Sequence, residues 1–241
     1  MTVDNATVDA ALADWAQRDR AAALRLFVTE ARARSASARL SLGFALRESV
    51  WMGRDPAINE AKSAWWLEEL ALSGRSAARH PLTRWLAQEE ARVDFIALAR
   101  VLSDLRTTTP ESGEGSILAG VRDLESALWF GPDAAGSDAC TIRAHACLVD
   151  VVGRRSHGAV DSATPSRAIT AHAAALRGAA VTDAWTAARR AQALCWIETV
   201  GSRAASGRVR RWREVWTVWR AVRDTRRRTK SGVTTGARVG T

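Results

Sequence analysis

The sequence predicts an all-α, single-domain helical bundle of about eight helices. Three observations carry that expectation. Apolar residues recur at three- and four-residue steps through most of the 241 residues. Alanine and arginine, both good helix formers, dominate the composition, against only 5 prolines. No alternating apolar–polar run long enough for a strand interrupts them. A chain of this length has ample material for a buried core. Its 47% hydrophobic and 25% charged residues exclude a disordered or collagen-like chain.

The first helical stretch covers 6–32, with Val8, Leu12 and Trp15 and then Leu24, Phe27 and Val28 in phase, broken near Arg18–Arg20. A second, 36–52, carries Leu40, Leu42, Phe44, Leu46 and Val50. Asp55-Pro56 ends it and opens the next, because proline fits a first helical turn where its missing N–H is no loss. That helix, 57–72, puts Ile58, Ala61, Trp65 and Leu72 on one face and stops at Gly74. His80-Pro81 starts a long helix to Arg106, with Leu82, Trp85, Leu86, Val93 and Ile96 at helical spacing. Residues 107–116, holding Pro110, Gly113 and Gly115, form a loop. Helices follow at 117–130, 138–153, 166–199 (kinked near Gly178) and 207–228. The domain occupies 1–229, and the small, Gly/Thr-rich stretch 230–241 is expected to be a disordered tail.

Cys140, Cys147 and Cys195 are an odd 3 without paired spacing, which fits free thiols in a reducing compartment. Met1-Thr2-Val3-Asp4-Asn5 lacks the basic and apolar regions of a signal peptide. Charged residues interrupt every apolar stretch short of the ~18 residues that span a bilayer. The expectation is a cytoplasmic protein, peripheral at most to a membrane.

The formal charge of +9 is unevenly placed. Between Arg203 and Lys230 stand ten arginines and one lysine against Glu214 and Asp224, whereas residues 1–202 are nearly balanced. In that segment Val209, Trp212, Trp216, Trp219 and Val222 mark one apolar helix face, surrounded by Arg208, Arg211, Arg213, Arg220 and Arg223. Three readings compete. The tryptophans belong to the core and the arginines to solvent; or the helix attaches to an anionic membrane surface; or arginines and stacking tryptophans bind nucleic acid. The last is disfavoured because no recognisable reading motif accompanies it. Arg208, Arg211, Trp212, Trp216, Trp219 and Arg220 are the candidates for surface binding.

Asp55-Pro56, then Lys62-x2-Trp65-Trp66-x-Glu68-Glu69-Leu70, Gly74 and His80-Pro81-Leu82 resemble the squalene/phytoene synthase family. There a K-x-x-W-W-x-E-E-L pattern precedes an HP step at the next helix start. Leu42 to Glu48 is similar to the helix bearing the family's first aspartate motif, and Ala144 to Asp150 to the region of the second. Trp216, Trp219 and Arg220 resemble its closing tryptophan helix. The resemblance implies an all-α fold of the isoprenoid synthase type.

Active members hold Mg²⁺ between two aspartate clusters, because this hard cation requires oxygen ligands, and the metals ionise an allylic diphosphate. Laid from Arg47, the first motif places Val50, Trp51 and Arg54 where carboxylates should stand. The second places Ala146, Val149, Asp150 and Arg154 on its marked positions, and only Asp150 matches. Cations there oppose a divalent ion by several kcal/mol at short range. The chain also has 0 tyrosines, a residue type that active members use near the substrate. The family's inert branch, linked to assembly of respiratory complex I, keeps the tryptophan helix and the HP step, and the chain is similar to it.

The remaining constellations are modest. Cys140-x4-His145-x-Cys147 offers three soft ligands on two helical turns, but His145 points away from the shared cysteine face, so buried structural cysteines are favoured over zinc. His80 reads as a helix-starting residue. Glu68 and Glu69 diverge around their helix and cannot form an acid–base pair. Trp65-Trp66 reads as core, with an apolar wall for a prenyl chain as the alternative. The expectation is therefore a catalytically silent squalene/phytoene-synthase-like binding or assembly factor without cofactor, whose partner is a protein or a prenyl lipid. One alternative is an active prenyltransferase, with Mg²⁺ or with Arg47, Arg54 and Arg154 holding diphosphate directly. Another is a basic-helix protein of membrane surfaces or nucleic acid.

Overall fold

The computed structural model describes residues 4–19, 30–52, 55–73, 77–88, 93–107, 113–129, 137–156, 165–181, 184–201 and 207–235. All regular structure among them is helical: α1 (Asn5–Arg18), α2 (Glu30–Arg47) running into a π-helical turn (Glu48–Met52), α3 (Pro56–Ser73), α4 (Pro81–Leu86), α5 (Phe95–Thr107), α6 (Gly113–Trp129), α7 (Asp138–Ser156), α8 (Pro165–Gly178), α9 (Ala184–Gly201) and α10 (Gly207–Thr235). The all-α class holds, with ten α-helices in place of about eight.

Two expected long helices are each divided. The stretch from Pro81 to Arg106 breaks after Leu86, and α5 starts afresh because Asp94 caps it, its carboxylate accepting from Ala97 N at 2.9 Å. The stretch 166–199 is not one kinked helix but α8 and α9, separated after Gly178. The glycine pair placed in a loop, Gly113 and Gly115, lies instead inside the first turn of α6. At the other end α10 continues through Ser231 to Thr235, so the first part of the expected tail is helical. The break near Arg18 is real. Asp19 leaves the helix, its N–H donating to Trp15 O at 2.9 Å while its carboxylate accepts from Trp15 Nε1, also at 2.9 Å.

α2 is the axis of the fold. Every residue from Ala36 to Phe44 is buried, polar ones included, so this helix is enclosed on all sides rather than amphipathic. Around it Val8, Leu12 and Trp15 of α1, Trp66 and Leu70 of α3, Leu82 and Leu86 of α4 and Leu98 and Leu102 of α5 build the main core. Arg39 keeps its charge inside this core by donating to Leu128 O. A second cluster lies below it, where Trp51 of the π turn meets α5, α6 and α7. The third joins α9 to α10 through Ala188, Ala191, Val218 and Val222. Among the described residues no helix is long and apolar enough to cross a membrane.

Candidate functional site

The two helices that carry the resemblance to aspartate-motif regions do face each other, at the π turn and α7. What they bring together is apolar. Trp51 is 2% exposed and packs against Ala144, Cys147, Leu148 and Val151 of α7, with Leu105 of α5 and Val121 of α6 completing its surroundings. The π turn inserts one residue into the helical repeat and so re-aims the side chains that follow it. Val50 is half-buried beside the same cluster, and Ala146 and Val149 are fully buried in neighbouring apolar contacts. None of these four can ligate Mg²⁺, which demands oxygen donors. Among the described residues no group of three His, Cys, Asp or Glu side chains is placed to hold a metal ion. The side chains of Arg54, Asp150 and Arg154 lie outside the described residues.

Immediately before the π segment, Arg47 enters a buried polar network. Its Nη1 donates to Glu125 Oε1 of α6 at 3.1 Å, both residues being 2% exposed. Cys147 Sγ lies 3.2 Å from the same carboxylate oxygen as a donor. Arg189 of α9 approaches Cys147 Sγ at 3.5 Å and donates to Gln192 Oε1 at 2.9 Å. Burial works against the Arg47 charge, but the carboxylates of Glu125 and Asp19 favour it, and the guanidinium is held more firmly protonated than usual in spite of Arg189. Burial pushes the Cys147 thiol up to about 12, so it stays neutral and inert. Two cations and two carboxylates thus lie close together inside the fold. Such a network ties α2, α6, α7 and α9 together, with each cation lying beside a buried polar partner. Neither Glu125 nor Arg189 was singled out from the sequence. Helical periodicity marks which positions face inward, but not that two distant helices bring opposite charges to one point.

The Lys62–His80 pattern converges on a second, fully structural arrangement. Glu69 of α3 is 0% exposed and points at the start of α4. It accepts from Arg79 N at 2.9 Å, His80 N at 2.8 Å and Thr83 Oγ1 at 2.6 Å. Burial disfavours its charge, yet these bonds from Thr83, His80 and Arg79 prevail and hold the carboxyl below its usual range. His80 caps α4, its Nδ1 accepting from Leu82 N at 3.2 Å, with Pro81 in the first helical turn. Burial lowers the His80 pKa against the pull of Glu69, which suits a ring nitrogen that must stay unprotonated to accept. The Trp66 ring lies 5.1 Å from the imidazole. Glu68 is exposed and paired with Arg79 at 3.1 Å, and the same guanidinium reaches Glu69 at 3.5 Å. Lys62 is exposed. The reading of Trp65-Trp66 as core needs correction for one member: Trp66 is 8% exposed but Trp65 is 39% exposed, under the Arg79 guanidinium.

The soft-ligand candidates on α7 part company. Cys140 Sγ donates to Arg122 O, Cys147 turns to Glu125, and His145 pairs with His172 of α8, Nδ1 to Nδ1 at 2.9 Å.

On α10 Trp216 and Trp219 are not core. Val218, Val222 and Thr225 face α9, while Trp216 and Trp219 are 56% and 38% exposed. Each helix turn admits only one inward stripe, and the alanine-rich surface of α9 accepts the slimmer valines. The two indoles stack at 4.8 Å, with Arg220 over Trp216 and Arg223 over Trp219. Arg208, Arg211 and Trp212 have side chains outside the described residues. Compared with models of protein families, with characterised proteins and with solved structures, the chain matches none.

Proposed function

We propose that this protein is a squalene/phytoene-synthase-like helical protein of the isoprenoid synthase type that does not condense prenyl diphosphates and acts instead as a binding or assembly factor. One observation carries the reading. At the helix pair where that chemistry requires facing carboxylates, Trp51 is sealed against Cys147, Leu148 and Val151, and the adjacent Arg47 is committed to Glu125. An apolar wall supplies no ligand to Mg²⁺, and the Arg47 charge is already balanced in the interior by Glu125. The neighbouring elements are stabilised for packing: Glu69 and Trp66 hold His80 at the start of α4.

The test is turnover. The full chain, incubated with farnesyl or geranylgeranyl diphosphate with and without Mg²⁺, should release no diphosphate above a protein-free control. Mg²⁺-dependent release would establish the prenyltransferase alternative, and release without metal would point to direct arginine binding at Arg54 and Arg154. Retention of the radiolabelled diphosphates in equilibrium dialysis, without release, would identify a prenyl ligand for the binding role. No retention would leave a protein partner as its object.

A further inference from the structure

We infer that the exposed face of α10 docks on an anionic lipid bilayer surface. This stands on α10 alone and is independent of the fate of the prenyl chemistry. Val218, Val222 and Thr225 are spent against α9. The opposite face runs from Val215, Trp216 and Trp219 to Arg220, Arg223 and Arg227 at three- and four-residue steps, with every one of these exposed or half-exposed. No acidic side chain stands within that stripe. Asp224 lies at its margin, bound to Arg223 at 3.2 Å, and Glu214 lies toward α9.

The composition of the stripe selects the partner. Tryptophan is the residue of the bilayer interface, where an apolar ring meets water at headgroup depth. Arginines beside it supply the attraction to anionic headgroups, and a basic amphipathic helix with tryptophan on its apolar side lies in that plane. The surface holds two large exposed indoles side by side, which is costly in water unless something covers them. A nucleic acid fits less well. Base stacking needs an open indole face, whereas Trp216 and Trp219 stack on each other at 26° and each also lies under an arginine four residues on. The rest of the chain is close to neutral, so the attraction comes from this helix.

The experiment is vesicle sedimentation of the full-length protein with phosphatidylcholine alone or mixed with phosphatidylglycerol. Wild type should sediment with the anionic vesicles only, and less so as salt is raised, because exposed charges are screened over roughly 10 Å at 0.1 M. Arg220→Gln/Arg227→Gln should weaken partitioning roughly 30-fold, about fivefold for each arginine near an anionic surface. Trp216→Ser/Trp219→Ser should weaken it by at least about tenfold. Both pairs are exposed, so each variant should keep the wild-type circular dichroism. Ile58→Ser/Ile96→Ser removes two exposed apolar groups, at 52% and 56%, from other helices and should sediment like wild type. Absence of sedimentation, equal sedimentation with neutral vesicles, or wild-type behaviour of both α10 variants would overturn the inference. So would release from anionic vesicles by a single-stranded oligonucleotide whose binding depends on Trp216 and Trp219, an outcome that assigns the face to nucleic acid.

Discussion

Glu69 provides the most demanding test of the architecture, because one side chain serves two main-chain donors and a hydroxyl. In Glu69→Ala, Arg79 N and His80 N lose an ionised acceptor inside the protein, at present 2.9 and 2.8 Å away. The Thr83 hydroxyl can fall back on His80 O at 2.9 Å, so its loss is partial. Two unsatisfied donors at about 1–2 kcal/mol each put the cost near 3 kcal/mol. For a chain of this size that lowers Tm by about 6–12 °C. Glu69→Gln keeps the shape and one acceptor oxygen but turns an amide toward a donor, and should cost about 1–2 kcal/mol. Urea unfolding followed by tryptophan fluorescence at pH 7 measures both.

Acid adds a second axis. The folded Glu69 pKa lies below its ordinary 4.5, so its contribution is complete above 4.5 and is lost as pH falls through the folded value. Glu69→Gln removes that part of the acid slope while leaving the part due to His80. A Glu69→Ala loss under about 0.5 kcal/mol, or an acid profile of Glu69→Gln that superimposes on wild type, would refute the locking role.

Arg47→Met should cost about 3–5 kcal/mol in urea unfolding, because Glu125 is left charged in the interior; Arg47→Met with Glu125→Met should recover part of that, and a single-variant loss under about 1 kcal/mol would contradict the network. Trp51→Asp should lose at least about 3–5 kcal/mol by emptying the contact with α7 and burying a carboxylate there, read as a lowered Tm. Gly120→Ala drives a Cβ into the Leu105 side chain beside Trp51, and should cost about 1–3 kcal/mol by overpacking. Burial, with His172 and Arg122 nearby, pushes His145 down to about 4. The stability held by its neutral ring is then full above the ordinary 6.5 and declines as pH falls toward 4. An imidazole proton resonance of His145 that titrates near 6.5 would exclude this.

The helices were legible in the sequence for a simple reason: an apolar stripe at three- and four-residue steps is a local signal. Asp55-Pro56 and His80-Pro81 were legible as starts because proline has few other places in a helix. The division of Pro81–Arg106 was hidden because Val93 and Ile96 stay in phase across it, and Asp94 as a cap looks like any exposed aspartate. Trp216 and Trp219 were harder still. Apolar periodicity on α10 marks two adjoining stripes, valine and tryptophan, and only the shape of α9 decides which is buried. Buried charge is the least legible feature, since the partners Arg47 and Glu125 lie 78 residues apart. A sequence shows each charge singly, and its usual place is the surface.

On the proposed reading, that last point bears on how a helical protein keeps the packing of a fold without its chemistry. The residues at the heart of the resemblance, Glu69, His80, Pro81 and Trp66, are tied to one another through a carboxylate, two main-chain N–H groups and a ring contact. Replacing any of them changes stability before it could change catalysis. The positions on which metal chemistry would depend are subject to the reverse logic. Clustered carboxylates repel one another and are tolerated only while a cation neutralises them, so without the cation an apolar filling is the more stable choice. On the proposed reading Trp51 against α7 is such a filling, and Arg47 is paired with Glu125 beside it. On the proposed reading, packing and the Arg47–Glu125 pair hold this helix pair together from within, while α10 presents exposed indoles outside.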